Sequence, residues 1–263
     1  MSRYIIRWML LFLLVGILPV SLSAQERATW SLEASINYLH QDYDYGEVHQ
    51  AIDSRITHER VDLQDRTITN VQKIDPQWVP DLQIGFRYKN LHFGFIFSEV
   101  SEQTVGYESY VETAGGQHFQ PYEYVITARA REYMLSLGYL HPLHPRISLG
   151  VSGAIGWGVA SGKYNDPFGP PGTSSIEVDM EGDYTPIRLE GEARLHLTKY
   201  IDLNFKGGWR GSVADEMVAD YGLTLGEYPV TVYSTSNSRI AEFSWSGMYY
   251  GVGLTLKNPY AKK

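Results

Sequence analysis

The 263-residue sequence holds 30 acidic and 22 basic residues, which gives a formal net charge of −8, and it contains no cysteine. The acidic balance argues against a nucleic-acid-binding protein, because such proteins carry a basic surface that matches the phosphate backbone. The lack of cysteine excludes a disulfide-stabilised scaffold and a lipid attached to an N-terminal cysteine. Stability must therefore come from packing and backbone hydrogen bonds.

The chain begins with a pattern typical of a secretory signal peptide. Two arginines flank the start of an apolar run from Trp8 to Val20, and small residues from Ser21 to Ala24 provide a cleavage site. The run is shorter than the ~20 residues of a membrane-spanning helix and is interrupted by a glycine and a proline. We therefore expect residues 1–24 to be a signal peptide and residues 25–263 to form a single domain.

The rest of the chain is dominated by segments in which large apolar residues alternate with small or polar ones. In the clearest segment, 147–159, nearly every second residue is large and apolar, and the residues between them are Gly, Ser or Ala. A period of two predicts a β-strand with one apolar face. The alternation predicts eight strands, at residues 28–38, 80–88, 91–98, 124–140, 146–160, 186–197, 201–210 and 240–257. In the last strand Phe243 and Trp245 have the opposite parity to Tyr250, so we expect a β-bulge near Gly247.

The connections between the predicted strands alternate in length. Three are short, at residues 89–90, 141–145 and 198–200. Four segments are long and polar, at residues 39–79, 99–123, 161–185 and 211–239. Outer-membrane barrels have short periplasmic turns and long external loops. The fold class that this alternation predicts is all-β: a transmembrane antiparallel up-and-down β-barrel of eight strands, with long external loops and short periplasmic turns.

Aromatic residues fall near the predicted strand ends, which is typical of the two girdles at the membrane surfaces. On the periplasmic side these are Trp30, Tyr88, Tyr139 and Tyr200. On the outer side they are Tyr38, Trp78, Trp157, Trp209 and Trp245.

With these strands, turns and girdles, residues 25–257 resemble the small eight-stranded outer-membrane barrels, such as the transmembrane domain of outer-membrane protein A and its relatives. The resemblance rests on the pattern, since no short motif is diagnostic. The sequence departs from the family in one place, because the last predicted strand ends at Leu254-Thr255-Leu256 and lacks the usual terminal aromatic residue. We also expect no peptidoglycan-binding domain after the barrel. The resemblance implies location in the cell outer membrane and assembly by the barrel-assembly machinery.

The same alternation predicts which charged side chains point into the barrel. Five acids and five bases share the inward parity: Glu33, Glu132, Glu190, Glu192, Asp202, Arg87, Arg188, Arg194, Lys206 and Arg210. If a tight turn pairs Leu197 with Ile201, Glu192 faces Lys206 and His196 faces Asp202 across neighbouring strands. An eight-stranded barrel is only wide enough for side chains to fill it. We therefore expect a packed, charge-paired lumen, and an open channel is the alternative.

Arg129 and Arg131 share the outward parity near the outer end of the fourth predicted strand. Basic groups at that height meet the anionic headgroups of the outer leaflet. The two arginines are therefore candidate contacts to lipopolysaccharide. The alternative is that they lie above the membrane, where any charge is tolerated.

Catalytic and metal-binding signals are weak. His40, with Asp42 and Asp44 close by, is the one strand histidine that maps to the outer side. Segment 141–144 carries two histidines in a turn, and segment 179–183 carries three acids in a predicted loop. A solvated turn or loop explains both segments without a metal. We expect no catalytic residue, no metal and no cofactor.

The sequence thus predicts a non-enzymatic outer-membrane barrel whose loops serve structural, adhesive or partner-binding roles. A small-solute pore or transport protein of the same fold is the first alternative. A surface enzyme that acts on lipid A or peptides is the second. The expected partners are outer-membrane lipid and lipopolysaccharide, the barrel-assembly machinery and an extracellular ligand of the loops. We expect a monomer and no nucleic-acid partner.

Overall fold

The computed structural model describes residues 30–42, 66–72, 76–112, 118–166, 176–214, 217–220, 227–229, 231–234, 237–240 and 243–260. The predicted signal peptide, residues 1–24, lies outside this part of the chain. Among the described residues, no helix has the length and apolar character needed to cross a membrane.

The described residues form β-strands joined by turns. In chain order the strands are β1 (Trp30–Gln41), β2 (Arg66–Gln72), β3 (Gln77–Tyr88), β4 (Leu91–Glu112), β5 (His118–His144), β6 (Ile147–Asp166), β7 (Ile176–Tyr184), β8 (Ile187–His196), β9 (Ile201–Gly211), β10 (Val213–Ala214), β11 (Val218–Asp220), β12 (Glu227–Pro229), β13 (Thr231–Ser234), β14 (Asn237–Ile240), β15 (Phe243–Ser244) and β16 (Gly247–Tyr260).

Eight of these strands close into an antiparallel barrel. The order around the wall is β1, β3, β4, β5, β6, β8, β9 and β16, and β16 pairs with β1 to complete the circle. Because the barrel is closed, each of these eight strands pairs its backbone N–H and C=O groups with a neighbour on both sides. This is the condition for a sheet to cross a bilayer. The predicted fold class, an eight-stranded up-and-down barrel, is confirmed.

Side chains alternate between the two faces of the wall as predicted. Leu135 is 69% exposed and its neighbour Ser136 is 6% exposed. Ile84 is 68% exposed and Gln83 is 6% exposed. A continuous apolar exterior of this kind is unfavourable in water and is the surface that lipid requires. Ile187 is an exception to the alternation, because it is only 8% exposed, whereas Leu189, which has the same parity on the strand, is 46% exposed.

The two ends of the barrel differ. At one end, which we call the turn end, the short connections at residues 89–90, 145–146 and 197–200 join neighbouring strands. At the other, the hairpin end, β4 and β5 remain paired as far as Glu112 and His118. Much of segments 99–123 and 161–185, predicted as loops, is therefore strand. These parts of the strands extend beyond the lipid, so their outward residues are polar. The alternation of apolar outward residues that predicts a strand is therefore absent from them.

The last barrel strand corrects two further predictions. Burial alternates without a change of parity from Phe243 to Gly251, so no bulge near Gly247 is needed. Phe243 and Trp245 are 4% and 1% exposed and point into the barrel. The strand also continues past the predicted end to Tyr260, which pairs with Trp30. A terminal aromatic residue is therefore present.

Candidate functional site

The barrel interior is the candidate site, because it collects the charged side chains of the wall. All ten predicted side chains lie on the inner face, eight of them buried and Arg87 and Glu192 half-buried. Asp81 and Lys257 lie among them, and sequence analysis missed both. Six carboxylates and six cationic side chains therefore line the described lumen, and they are arranged in four layers.

The first layer, at the turn end, is centred on Asp202. Its Oδ1 is 2.8 Å from His196 Nδ1 and 2.5 Å from Lys257 Nζ. The other ring nitrogen of His196, Nε2, lies 2.8 Å from Ser148 Oγ. The register pairs Leu197 with Ile201 through a backbone hydrogen bond of 3.0 Å, and it places His196 opposite Asp202. The geometry matches the cross-strand pair expected from the turn.

The second layer is centred on Glu33, which is 3% exposed. Arg194 Nη1 donates to Glu33 Oε2 at 2.6 Å, and Arg87 Nε lies 3.2 Å from Glu33 Oε1. Arg194 Nε lies 2.9 Å from Glu192 Oε1. Glu33 on β1 thus contacts an arginine on β3 and an arginine on β8, and the contact with β8 links strands across the lumen.

The third layer contains two ion pairs joined by a tyrosine. Arg188 Nη1 donates to Asp81 Oδ2 at 2.6 Å, and Lys206 Nζ lies 2.9 Å from Glu190 Oε1. The Tyr249 hydroxyl donates to Glu190 Oε2 at 2.8 Å. The Arg188 guanidinium lies 5.3 Å from the centre of the Tyr249 ring, within cation–π range.

The fourth layer surrounds Glu132, which is fully buried. Its Oε1 accepts hydrogen bonds from Arg210 Nε at 3.1 Å, the Ser212 hydroxyl at 2.7 Å and the Tyr184 hydroxyl at 2.9 Å, and Arg210 Nη2 lies 2.6 Å from the same oxygen as an ion pair. Arg210 Nη1 donates to Gln41 Oε1 at 2.6 Å. The donors all converge on one oxygen of this buried carboxylate and compensate its charge there, whereas Oε2 has no hydrogen-bond partner among the described residues.

Above the fourth layer the interior becomes apolar. We call this region the apolar cluster, and its buried members are Val100, Val105, Tyr107, Ile126, Ala128, Ala130, Ala160, Val178, Met180, Tyr184, Ala214, Met217, Phe243 and Trp245. The Tyr184 ring stacks on Trp245 at 5.8 Å and occupies the space left by Gly158, where a Cβ would come within 2.4 Å of the ring. The small face of β6 therefore receives a tyrosine ring and leaves no gap at that level.

The expected ion pair between Glu192 and Lys206 is wrong in its side-chain partners. The register does place Glu192 opposite Lys206. However, Lys206 reaches along the lumen to Glu190, while Glu192 pairs with Arg194. Long side chains can reach diagonal neighbours, so strand pairing alone does not determine their contacts. Asp81 and Lys257 were detectable, because each has the inward parity of its strand.

The outer surface carries two aromatic girdles. At the turn end, the Trp30 ring lies 4.5 Å from Tyr88 and 5.7 Å from Phe86. At the hairpin end, Trp78 lies 6.1 Å from Tyr38, and a second group pairs Tyr133 with Trp157 at 6.0 Å. The wall between the girdles exposes apolar side chains, and the interior it encloses is charged. Trp245, predicted in the outer girdle, is instead inside the barrel.

The chain is an outer-membrane β-barrel protein. A closed antiparallel barrel with an apolar band between two girdles is the form in which strands cross the outer membrane of Gram-negative cells. Most of the predicted girdle residues lie on this outer surface, which agrees with the expected localisation and with the resemblance drawn from the sequence.

Solved barrels are similar to this protein over most of its length. Neisserial surface protein A matches with a TM-score of 0.40 and 9% identity, over 88% of this chain and 99% of its own. Ail, the attachment invasion locus protein of Yersinia pestis, solved with the heparin analogue sucrose octasulfate, has a TM-score of 0.35 and 10% identity, over 89% and 100%. The protease OmpT from Escherichia coli has a TM-score of 0.34 and 11% identity, over 91% and 98%. No protein-family model and no curated protein matches the chain by sequence.

Arg129 and Arg131 are exposed on the outer face of β5, just beyond the girdle residue Tyr133. Arg131 Nε lies 3.0 Å from Glu99 Oε1, and Arg129 Nε donates to Ser161 Oγ at 3.2 Å. Both guanidiniums therefore lie at the height where the apolar band ends.

His40 lies on the outer face at the hairpin-end girdle. Its ring is 5.1 Å from the rings of both Trp78 and Tyr250. Among the described residues, Nδ1 of His40 has no hydrogen-bond partner. Asp42 is exposed, and Asp44 lies outside the described residues. The described ring contacts of His40 are thus with aromatic side chains.

The candidate metal-binding segments are exposed. His141 and His144 lie on the surface at the turn end, and Asp179, Glu181 and Asp183 follow the outer face of β7. Within the described part of the chain, no group of three or more histidine or acidic side chains is arranged to hold a metal ion.

Proposed function

We propose that this protein is a non-enzymatic outer-membrane barrel with a packed, charge-paired lumen, whose hairpin end serves structural, adhesive or partner-binding roles. The observation that carries the proposal is the filling of the interior along the barrel axis. Four charged layers are followed by the apolar cluster, and Glu132 and Trp245 on either side of the junction are 0% and 1% exposed. A solute would have to break several buried ion pairs and then cross a packed apolar core.

We infer that the turn end faces the periplasm and the hairpin end faces outward. Short turns on the inside and long hairpins outside are the rule for such barrels. The pairing of Trp30 with Tyr260 supports this orientation, because it brings both ends of the described barrel to the turn end. Insertion in this direction is the task of the barrel-assembly machinery.

A measurement of ion current through the barrel distinguishes this proposal from a small-solute pore. The purified protein, added to planar lipid bilayers, should give no steady current. A porin added in the same way is the positive control, which shows that the assay detects an open barrel. A heat-shift gel on the same sample shows that the barrel is folded. Steady, well-defined current steps from the folded protein would refute the packed lumen and support the small-solute pore.

We also propose that Arg129 and Arg131 contact lipopolysaccharide phosphates. Their exposure just beyond the outer girdle supports this, since guanidiniums at that level meet the phosphates of the outer leaflet. Arg129→Gln/Arg131→Gln should weaken binding of purified lipopolysaccharide several-fold. Arg146→Gln removes a charge at the turn end, where this arginine is exposed, and is the control. Equal weakening by Arg146→Gln and by the double variant would contradict a local contact.

The non-enzymatic role can be tested at His40. His40→Ala should leave the lipid A structure of the cells unchanged, as measured by mass spectrometry of extracted lipid. A change in lipid A that depends on His40 would support the surface enzyme.

A further inference from the structure

A bowl of about 500 Å³ lies at the turn end, where the lumen opens below the first charged layer. Three short connections and the end of β16 form its rim and walls. Among the described residues, four cationic side chains line it, Arg87, Lys89, Lys199 and Lys257, and no carboxylate does. This concentration of positive charge contrasts with the whole chain, whose formal net charge is −8.

The carboxylates nearest to the bowl lie behind its wall. Glu33 is 3% exposed and binds Arg87, and Asp202 is fully buried and binds Lys257. These two contacts compensate two of the four cations. The ammonium groups of Lys89 and Lys199 lie 5.6 Å and 4.7 Å from neighbouring tyrosine rings. In the described residues no carboxylate pairs with either lysine.

The bowl also offers neutral donors. Thr198 Oγ1 accepts hydrogen bonds from the backbone N–H groups of Tyr200 and Ile201, so its own hydrogen remains available to donate. Asn90, whose amide donates to the Tyr139 hydroxyl, and Ser148, whose hydroxyl is bonded to His196, line the same wall. A phosphate group has several acceptor oxygens and is bound by such mixtures of lysine, arginine and hydroxyl donors. The volume lies within the ordinary range of small-molecule sites.

We propose that the bowl binds a phosphate-bearing anion. The anion would sit between Lys89 and Lys199 at the rim and Arg87 and Lys257 on the floor. The floor is closed by the charged layers, so the ligand is held at the mouth and does not pass through. In the proposed orientation the bowl opens to the periplasm. The inference concerns the opposite end from the proposed partner surface and stands independently of it.

The test uses the full-length mature barrel in a sugar-based detergent, which carries no phosphate, with inorganic pyrophosphate as the probe in calorimetry. Wild type should bind pyrophosphate, and Lys89→Gln/Lys199→Gln should raise the Kd about tenfold, because two unit charges are lost at close range. Lys163→Gln removes a positive charge from the exposed face of β6 near the hairpin end and should leave the Kd within about twofold. Neither Lys89 nor Lys199 contacts the lumen network, and a heat-shift gel confirms folding.

A second arm distinguishes free phosphates from lipid headgroups. The barrel is reconstituted in phosphatidylcholine vesicles with or without phosphatidylglycerol. An unchanged Kd for pyrophosphate indicates that the bowl is open to soluble phosphates, whereas a rise with phosphatidylglycerol indicates that the headgroup occupies the same site. No binding by wild type, or an equal loss in Lys89→Gln/Lys199→Gln and in Lys163→Gln, overturns the proposal.

Discussion

The charged layers and the apolar cluster are both buried in the same barrel, but they are stabilised in different ways. In the charged layers, the attraction between partners such as Arg188 and Asp81 is largely offset by the cost of removing both charges from water. In the apolar cluster, each buried side chain stabilises the fold by roughly 25 cal/mol per Å² removed from water. The first region depends on complete pairing, and the second on packed volume.

The difference follows from what surrounds the wall. Along β5, Leu135 points outward and Ser136 inward between the girdles. A few residues further, Arg131 points outward while Ala128 and Ala130 point inward. The polarity of the two faces therefore inverts along a single strand without a change in its geometry. We infer that the inversion lies where the strand leaves lipid and enters water, which in the proposed orientation puts the outer edge of the membrane next to Tyr133.

The largest expected effect comes from breaking one charge pair in the fourth layer. Arg210→Met leaves the fully buried Glu132 without its cation, and an uncompensated buried charge costs about 3–5 kcal/mol. The free energy of unfolding can be measured by urea titration of the barrel in vesicles, followed by tryptophan fluorescence.

The double variant Glu132→Gln/Arg210→Met is the control for lost volume. It removes both charges while a side-chain carbonyl remains to accept from Tyr184 and Ser212, so it should recover most of the lost stability. If the double variant is as unstable as Arg210→Met alone, packing and not charge holds this layer, and the contrast between the two regions fails.

The next largest effect is expected in the apolar cluster. Met180 is 1% exposed, and Met180→Ala should cost about 3 kcal/mol through lost burial and the cavity left behind. Met180→Leu nearly conserves volume and should cost less than about 1.5 kcal/mol. Both values come from the same urea titration. Equal losses for the two variants would mean that this region does not behave as a packed core.

The wall was predictable from the sequence because lipid imposes a simple rule on it. Every residue between the girdles must be apolar if it points outward, so Val151 and Leu135 reveal both strand and parity. The rule stops at the membrane edge. There the outward residues become polar, so the sequence predicts loops in segments 99–123 and 161–185, where the structure has long paired strands.

The same limit explains the errors in the site. Trp245 has an aromatic side chain near a strand end, as a girdle residue does, but it lies beyond the inversion and therefore points inward. The charges of the lumen could be identified from parity, and the register placed Glu192 opposite Lys206. Their contacts could not be predicted, because the reach of Lys206 to Glu190 depends on the lumen width and on competing partners.

A smaller effect is expected where the two regions meet. Gly158→Ala would place a Cβ within 2.4 Å of the Tyr184 ring, which joins the charged layer to the apolar cluster. Overpacking of this kind costs about 1–3 kcal/mol. Gly153→Ala is the matched control on the same strand, since its Cβ would meet nothing closer than 3.7 Å. The urea midpoint should fall for the first variant and stay level or rise for the second; the reverse order would contradict the packing of Tyr184 on β6.

The smallest effect is expected from the ion pair between Arg131 and Glu99 on the outer face, where the side chains are 50% and 40% exposed. Water already solvates both groups, so Arg131→Gln should cost no more than about 1 kcal/mol.

Added salt should screen this pair and leave the buried pairs of the lumen almost unaffected. Urea titrations of Arg131→Gln, Arg210→Met and wild type at low and high salt provide the comparison. The loss from Arg131→Gln should vanish at high salt while the loss from Arg210→Met persists, because only the lumen pair is shielded from the solvent. A large, salt-independent loss from Arg131→Gln would place this pair in a low-dielectric environment and move the membrane edge inferred from the inversion further toward the hairpin end.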